Sequence, residues 1–221
     1  MTIRQSLMNK IFAIGDIHGC LEKLGELVDK IDIDYKKDTL VFVGDYVDRG
    51  NSAKEVVDYV LRLKSEYKNV ICLLGNHERM FLNYLKGVDE DMYLRNGGIN
   101  TLRSYEILPS DNTEKRKRKI PAEHLQFFES LLFYYETDDY IFVHAGIRPG
   151  MPLKNQELED LLWIRNEFME AEDDFGKIIV FGHTPVMSPL IGKNKIGIDT
   201  GAVYGGKLTS VELPEIKIYQ V

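Results

Sequence analysis

Apolar residues in this chain come in short runs that stop abruptly at Gly or His. Ile11 to Ile14 precedes Gly15, Leu40 to Val43 precedes Gly44, and Val70 to Leu74 precedes Gly75. Two more runs, Tyr140 to Val143 and Ile178 to Phe181, end at His144 and Gly182. Runs this short, rich in Ile, Val and Phe and closed by a turn residue, predict buried strands. Between the early runs the period lengthens. Leu21, Leu24, Leu27, Val28 and Ile31 recur at helical spacing, which places them on one face of a helix. Ser52 and Glu55 have the spacing of a capping box ahead of a second helix whose core face is Val56, Val57, Val60 and Leu61.

Strand, helix, strand, helix, strand is an α/β layout. Late in the chain, Lys195 to Asp199, Lys207 to Glu212 and Glu215 to Tyr219 predict strands joined by turns containing Gly and Pro, so a mixed sheet with late antiparallel strands is expected. From Lys86 to Pro121 the periodicity fades. That segment holds Gly97, Gly98 and the basic run Lys115 to Lys119, and it predicts a solvated loop. Attraction of a phosphorylated partner is the sharper reading of the basic run. Repeats and interdomain linkers are lacking, so residues 1–221 are expected to form a single domain.

Composition narrows the functional classes. At 44% hydrophobic and 29% charged residues, the chain is not a disordered one. A formal charge of −7 argues against a general nucleic-acid binder. Cys20 and Cys72 lie in or beside apolar segments without CxxC spacing, as expected of buried reduced thiols. The first ten residues are too polar for a signal peptide, and no apolar stretch reaches the roughly 20 residues of a membrane-spanning helix. A cytoplasmic protein without a membrane partner is expected.

The candidate chemistry is concentrated at the run ends. Four of the five histidines, His18, His77, His144 and His183, follow one of the apolar runs. Loops beyond the carboxyl ends of strands in an α/β sheet face one crevice, so these histidines should meet there. Asp16, Asp45, Asp48 and Asn76 arrive with them. Imidazole, carboxylate and carboxamide donors suit divalent transition ions, and no thiolate is offered for a sealed structural zinc site. Asp16 and His18 are two residues apart, so in an extended strand end both would point to the same side.

Three blocks carry a resemblance. Gly15-Asp16-Ile17-His18-Gly19, Gly44-Asp45-Tyr46-Val47-Asp48-Arg49-Gly50 and Gly75-Asn76-His77-Glu78 are similar to the GDxHG, GDxVDRG and GNHE motifs of the phosphoprotein phosphatases, a branch of the calcineurin-like metallophosphoesterases. His144-Ala145-Gly146, Leu161-Leu162-Trp163-Ile164-Arg165 and Gly182-His183-Thr184-Pro185 extend the likeness, which runs from about Ile11 to Gly206 and resembles most the short bacterial and phage-type enzymes.

The resemblance implies an α/β (α+β sandwich) fold of mixed sheets flanked by helices, with a metal site at the carboxyl ends of the strands. It implies that Asp16, His18 and Asp45 hold one divalent ion, and that Asp45, Asn76, His144 and His183 hold a second, with Asp45 bridging. Mn²⁺ is the first expectation, with Fe, Zn or Co also compatible. His77 would be the general acid, oriented by Asp48, while Arg49 and Arg165 would clamp phosphate. The implied activity is hydrolysis of phosphoserine or phosphothreonine in proteins by direct attack of a hydroxide held between the ions, with a phosphorylated protein or peptide as partner.

Two alternatives stand beside it. One is a symmetrical dinucleoside tetraphosphate hydrolase, a relative that usually carries Asp where Glu78 stands and lacks the acid at the Asp48 position, so both residues point to a protein phosphatase. The other is a catalytically inactive binding module, which predicts a lost ligand, and none is lost. Asp48 and Arg49 could instead form a plain surface ion pair. Glu78 is expected to cap or pack locally, and His124 to sit on an exposed helix outside the site. The stretch Asp199 to Tyr204 departs from the Ser-Ala-Pro-Asn-Tyr-Cys of the eukaryotic members.

Overall fold

Alternate residues of the first strand face two different partners, and that alternation organises the whole molecule. The computed structural model describes residues 9–221. Its first half runs β1 (Ile11–Ile14), α1 (Leu21–Lys30), β2 (Thr39–Phe42), α2 (Ala53–Glu66), β3 (Asn69–Cys72) and α3 (Asn76–Leu85). An excursion follows, with α4 (Glu90–Tyr93), a π-helical turn (Leu94–Gly98), α5 (Ile99–Ser104), α6 (Thr113–Lys119) and α7 (Ala122–Glu129). The second half holds β4 (Tyr134–Glu136), β5 (Tyr140–Val143), α8 (Leu158–Trp163), α9 (Asn166–Met169) and β6 (Ile178–Phe181). It closes with β7 (Leu190–Ile191), β8 (Lys195–Gly197), β9 (Thr209–Leu213) and β10 (Lys217–Gln220).

The strands form two five-stranded mixed sheets, ordered β10-β9-β1-β2-β3 and β4-β5-β6-β8-β7. In the first, β1, β2 and β3 are parallel, while β9 and β10 add antiparallel pairs. In the second, β5, β6 and β8 are parallel, with β4 and β7 antiparallel at the edges. Successive side chains of a strand point to opposite faces. Ala13, Val41 and Val43 therefore meet Phe142, Val180 and Ile196 between the sheets, while Phe12, Ile14, Leu40 and Phe42 pack against the helices of the first half. Ile141, Val143, Ile179 and Phe181 pack on the outer side against Leu161 and Ile164 around α8 and Phe168 of α9. The result is a four-layer α–β–β–α sandwich. Phe42 is fully buried, and truncating it to Ala would cost about 3–5 kcal/mol.

Several expectations need correction. Ser52 sits at the start of α2, but its side chain makes no capping hydrogen bond, and Leu63 is fully sequestered on the core face where Leu61 only borders it. The predicted solvated loop is largely helical. Its basic run lies in α6, where Arg116 is buried, stacks over the Tyr84 ring at 4.1 Å and pairs with Glu90 at 2.8 Å. His124 is fully buried in α7, its ring nitrogens meeting the Tyr105 hydroxyl at 2.8 Å and the Asp58 carboxylate at 2.9 Å. Both cysteines are free thiols, Cys72 buried and Cys20 half-buried. The reading of the amino-terminal ten residues concerns a segment almost wholly outside the described residues. Among the described residues no helix is long and apolar enough to cross a membrane.

Candidate active site

Each parallel strand releases its chain at the same end of the sandwich, and the residues singled out in the sequence collect there. Asp16 and His18 follow β1, Asp45, Asp48 and Arg49 follow β2, and Asn76 and His77 open α3 just after β3. From the second sheet come His144 after β5 and His183 after β6. All of these except Arg49 are at most 5% exposed. Among the described residues, five of the eight non-glycine residues with positive φ are His18, Asp45, Asp48, Arg49 and His183. Left-handed backbone at such residues costs of order 1–3 kcal/mol each and persists where the surroundings hold it.

Glu78 is part of what holds it. Its fully buried carboxylate accepts the backbone N–H groups of Asp45 (2.9 Å), Tyr46 (2.8 Å), Val47 (3.1 Å) and Gly75 (3.0 Å). It thereby shapes the turn that carries Asp45 and joins it to α3, which is the local packing role expected of it. Burial pushes its carboxyl up to about 8, against the pull of these donors.

Asp45 is common to two groups of donors. Its Oδ2 lies 3.3 Å from His18 Nε2, in a group that also includes His77. Its Oδ1 lies 3.5 Å from His144 Nε2, in a group with His183. Asn76 joins the second group, its Oδ1 lying 2.8 Å from His144 Nε2 and 3.1 Å from His183 Nδ1. Asp16 is placed differently. It belongs to neither group: its carboxylate accepts the His183 backbone N–H at 3.0 Å, and Gly182 permits the approach because a Cβ there would lie 2.0 Å from Asp16 Oδ1.

The donor chemistry fits divalent metal. His18 Nδ1–H donates to Val47 O at 2.8 Å and His144 Nδ1–H to Val43 O at 2.9 Å, so in the neutral imidazoles both Nε2 atoms are lone-pair donors turned into the site. Burial keeps them neutral, pushing His18 down to about 3 and lowering His144 and His183 as well. The His144 lone pair then faces the oxygens of Asn76 and Asp45, an arrangement of acceptor against acceptor that a cation reconciles. His183 Nε2 is buried without a hydrogen-bond partner among the described residues. Burial, with repulsion from Asp199 and Asp45, pushes the Asp16 carboxyl well above its ordinary range, and burial pushes Asp199 up to about 6. Crowded acids and neutral imidazoles of this kind are relieved by positive charge.

The remaining predicted residues border these groups. His77 Nδ1–H donates to Asp48 Oδ2 at 2.7 Å, both side chains being buried. Asp48 and Arg49 are therefore not a surface ion pair. The Arg49 guanidinium donates to His18 Nε2 and lies 5.5 Å from the ring of exposed Tyr204. Arg165 is exposed at the rim, just before α9, in a depression of about 330 Å³ shared with Trp163 and Arg148. Sequence reasoning missed Asp199, which follows the parallel strand β8 as the other acids follow theirs, and missed Tyr93 and Thr101, whose hydroxyls meet Asp48 from the excursion.

The family model for calcineurin-like phosphoesterases matches residues 9–207. The asymmetrical bis(5′-nucleosyl)-tetraphosphatase PrpE of Bacillus cereus strain Q1 is 30% identical, with 94% of this chain and 92% of the relative covered. The enzyme of the same name from Oceanobacillus iheyensis is also 30% identical, with 96% and 92% covered. A crystal structure of a candidate diadenosine tetraphosphatase shares the fold, with a TM-score of 0.74 at 23% identity over 98% of this chain and 94% of that one.

These findings overturn the expectation of a serine/threonine protein phosphatase with a phosphorylated protein or peptide as partner, because relatives similar over nearly the whole chain carry a nucleotide hydrolase name. The physical reason lies in the two markers. Glu78 binds four backbone N–H groups and Asp48 supports His77, so neither reports on what leaves the phosphorus.

Proposed function

This chain belongs to the calcineurin-like phosphoesterase family, and from that premise we propose that it hydrolyses bis(5′-nucleosyl) tetraphosphates asymmetrically. Water adds to one phosphorus, one phosphoanhydride bond breaks, and the products are a nucleoside triphosphate and a nucleoside monophosphate. The observation that carries this reading is the near full-length similarity to relatives named for that activity, since the geometry of the site serves phosphoesters in general. It replaces the symmetrical cleavage of the alternative reading, since the relatives are named asymmetrical.

Asp16, His18 and Asp45 would hold one divalent ion and Asp45, Asn76, His144 and His183 the other, with Mn²⁺ the first to supply and Fe, Zn or Co compatible with the same donors. Bound there, such ions supply charge against the phosphoryl oxygens and lower the pKa of water. Arg49 and Arg165 offer planar forks of N–H donors to the phosphate chain, a match that Lys lacks. Their local positive charge draws in a polyanion despite the net charge of −7, which describes the surface as a whole. His77, its Nδ1–H committed to Asp48, would present the other ring nitrogen to the oxygen that leaves.

A direct comparison of kcat/KM for diadenosine tetraphosphate and for a phosphoserine peptide, on protein loaded with Mn²⁺, tests the proposal. Preference for the dinucleotide is expected, and preference for the peptide would refute it.

A further inference from the structure

The backbone at Asp48 and Arg49 is left-handed at two consecutive residues, with φ of 70° and 66°. What holds this pair comes almost entirely from the excursion that the sequence pattern left without a role. Thr101 is fully buried, and its hydroxyl both accepts the Asp48 backbone N–H at 2.8 Å and donates to Asp48 Oδ1 at 2.6 Å. The hydroxyl of fully buried Tyr93 donates to the same Oδ1 at 2.8 Å. With two donors on Oδ1, the carboxylate is turned so that Oδ2 receives His77 Nδ1–H. On the neighbouring residue, the Arg49 N–H donates to Gly97 O at 3.1 Å, and Asn100 Nδ2 donates to Arg49 O at 2.5 Å.

The π-helical turn explains how these contacts reach the pair. Gly97 has a left-handed φ of 96°, and its carbonyl leaves the helical ladder to meet Arg49. A Cβ on Gly97 would lie 2.9 Å from Arg49 Cγ, and one on Gly98 would lie 2.5 Å from the Tyr93 ring. Both glycines are thus required for the segment to close on Asp48, Arg49 and Tyr93.

We propose that the segment from Tyr93 to Thr101 is a clamp for the Asp48–Arg49 pair, in which Thr101 is a positioning residue for the Asp48–His77 proton donor and Asn100 a positioning residue for phosphate binding by Arg49. The proposal rests on the roles given above to His77 and Arg49. It makes the two arms separable, because Thr101 meets the carboxylate of one residue and Asn100 the backbone carbonyl of the next. Loss of an interaction that matters in the chemical step lowers kcat, and loss of uniform binding raises KM.

The test uses Thr101→Val, Thr101→Ser and Asn100→Ala in the Mn²⁺-loaded full chain, assayed on diadenosine tetraphosphate and on phenyl phosphate, with inorganic phosphate as competing ligand. On phenyl phosphate, whose leaving group is strongly basic, Thr101→Val is expected to lower kcat about tenfold or more, and by less on the dinucleotide, with KM and phosphate affinity within about twofold of the parent, and Thr101→Ser to restore kcat. Asn100→Ala is expected to raise KM and weaken phosphate binding by roughly tenfold while kcat stays within about twofold. The His77 Nδ1 proton, followed by NMR in the Zn²⁺-loaded protein, where no paramagnetic ion broadens it, should shift in Thr101→Val and stay in place in Asn100→Ala.

Should Thr101→Val fail to fold, Tyr93→Phe removes the second donor from Oδ1 and is expected to move kcat and that proton in the same direction. Parallel losses of kcat and KM in both arms, or a Thr101→Ser that fails to restore kcat, would overturn the clamp. Turnover of phenyl phosphate without turnover of the dinucleotide would overturn the substrate reading alone, since the kcat and KM split is then read on the aryl phosphate. If neither compound is turned over, phosphate affinity and the His77 proton still decide each arm.

Discussion

His77 donates its Nδ1 proton to Asp48 at 2.7 Å, with both side chains sealed from solvent. An imidazole anchored in this way has one ring nitrogen left for chemistry, and its value depends on what leaves. A nucleoside triphosphate departs as a phosphate whose conjugate acid has a pKa of about 6, whereas an alkoxide needs its proton during bond cleavage. His77→Asn is therefore expected to retain metal. It should lower kcat by about 10²- to 10⁴-fold on phosphate monoesters with strongly basic leaving groups, and by less on a dinucleoside tetraphosphate. A series of aryl phosphates of rising leaving-group pKa checks this. Equal losses across the series would remove His77 from proton donation.

Asp45 faces both donor groups, and Gly182 makes room for Asp16. Asp45→Asn is expected to reduce bound metal at both positions, read by elemental analysis of the dialysed protein. Gly182→Ala places a methyl group 2.0 Å from Asp16 Oδ1 and is expected to lower metal content as well. Full occupancy of two ions in Asp45→Asn would rule out the shared ligand.

The fold was legible where the pattern is local and long enough to repeat. Five strands and two helices announced themselves through apolar runs and helical spacing, and the histidines after those runs marked the site, because parallel strands release their chains at one end. The excursion was not legible. Its helices span four to eight residues, too few turns for an amphipathic period to repeat, and they are held by tertiary partners. Arg116 is buried because Tyr84 and Glu90 receive it, and His124 because Tyr105 and Asp58 satisfy its ring, partners distant in sequence. Substrate choice was misread from Glu78, whose carboxylate turns out to bind backbone N–H groups.

Asp111 offers a pH test of the excursion. Its carboxylate accepts from Lys119 Nζ at 2.5 Å and from the Leu108 N–H at 2.8 Å, and these donors hold its pKa below the ordinary 3.8. A carboxyl whose folded pKa is depressed binds fewer protons folded than unfolded. Its stabilisation is present above 3.8 and is lost as pH falls through the folded value. Asp111→Asn is thus expected to lower Tm at pH 7 and to approach the parent as the pH is brought below about 4. A Tm difference that is constant with pH would contradict the assignment.

The most direct test of the central claim is the identity of the nucleotides released from diadenosine tetraphosphate by the Mn²⁺-loaded protein, resolved by chromatography early in the reaction. The account predicts ATP and AMP in equal amounts. ADP as the sole product, or an unchanged dinucleotide, would contradict it.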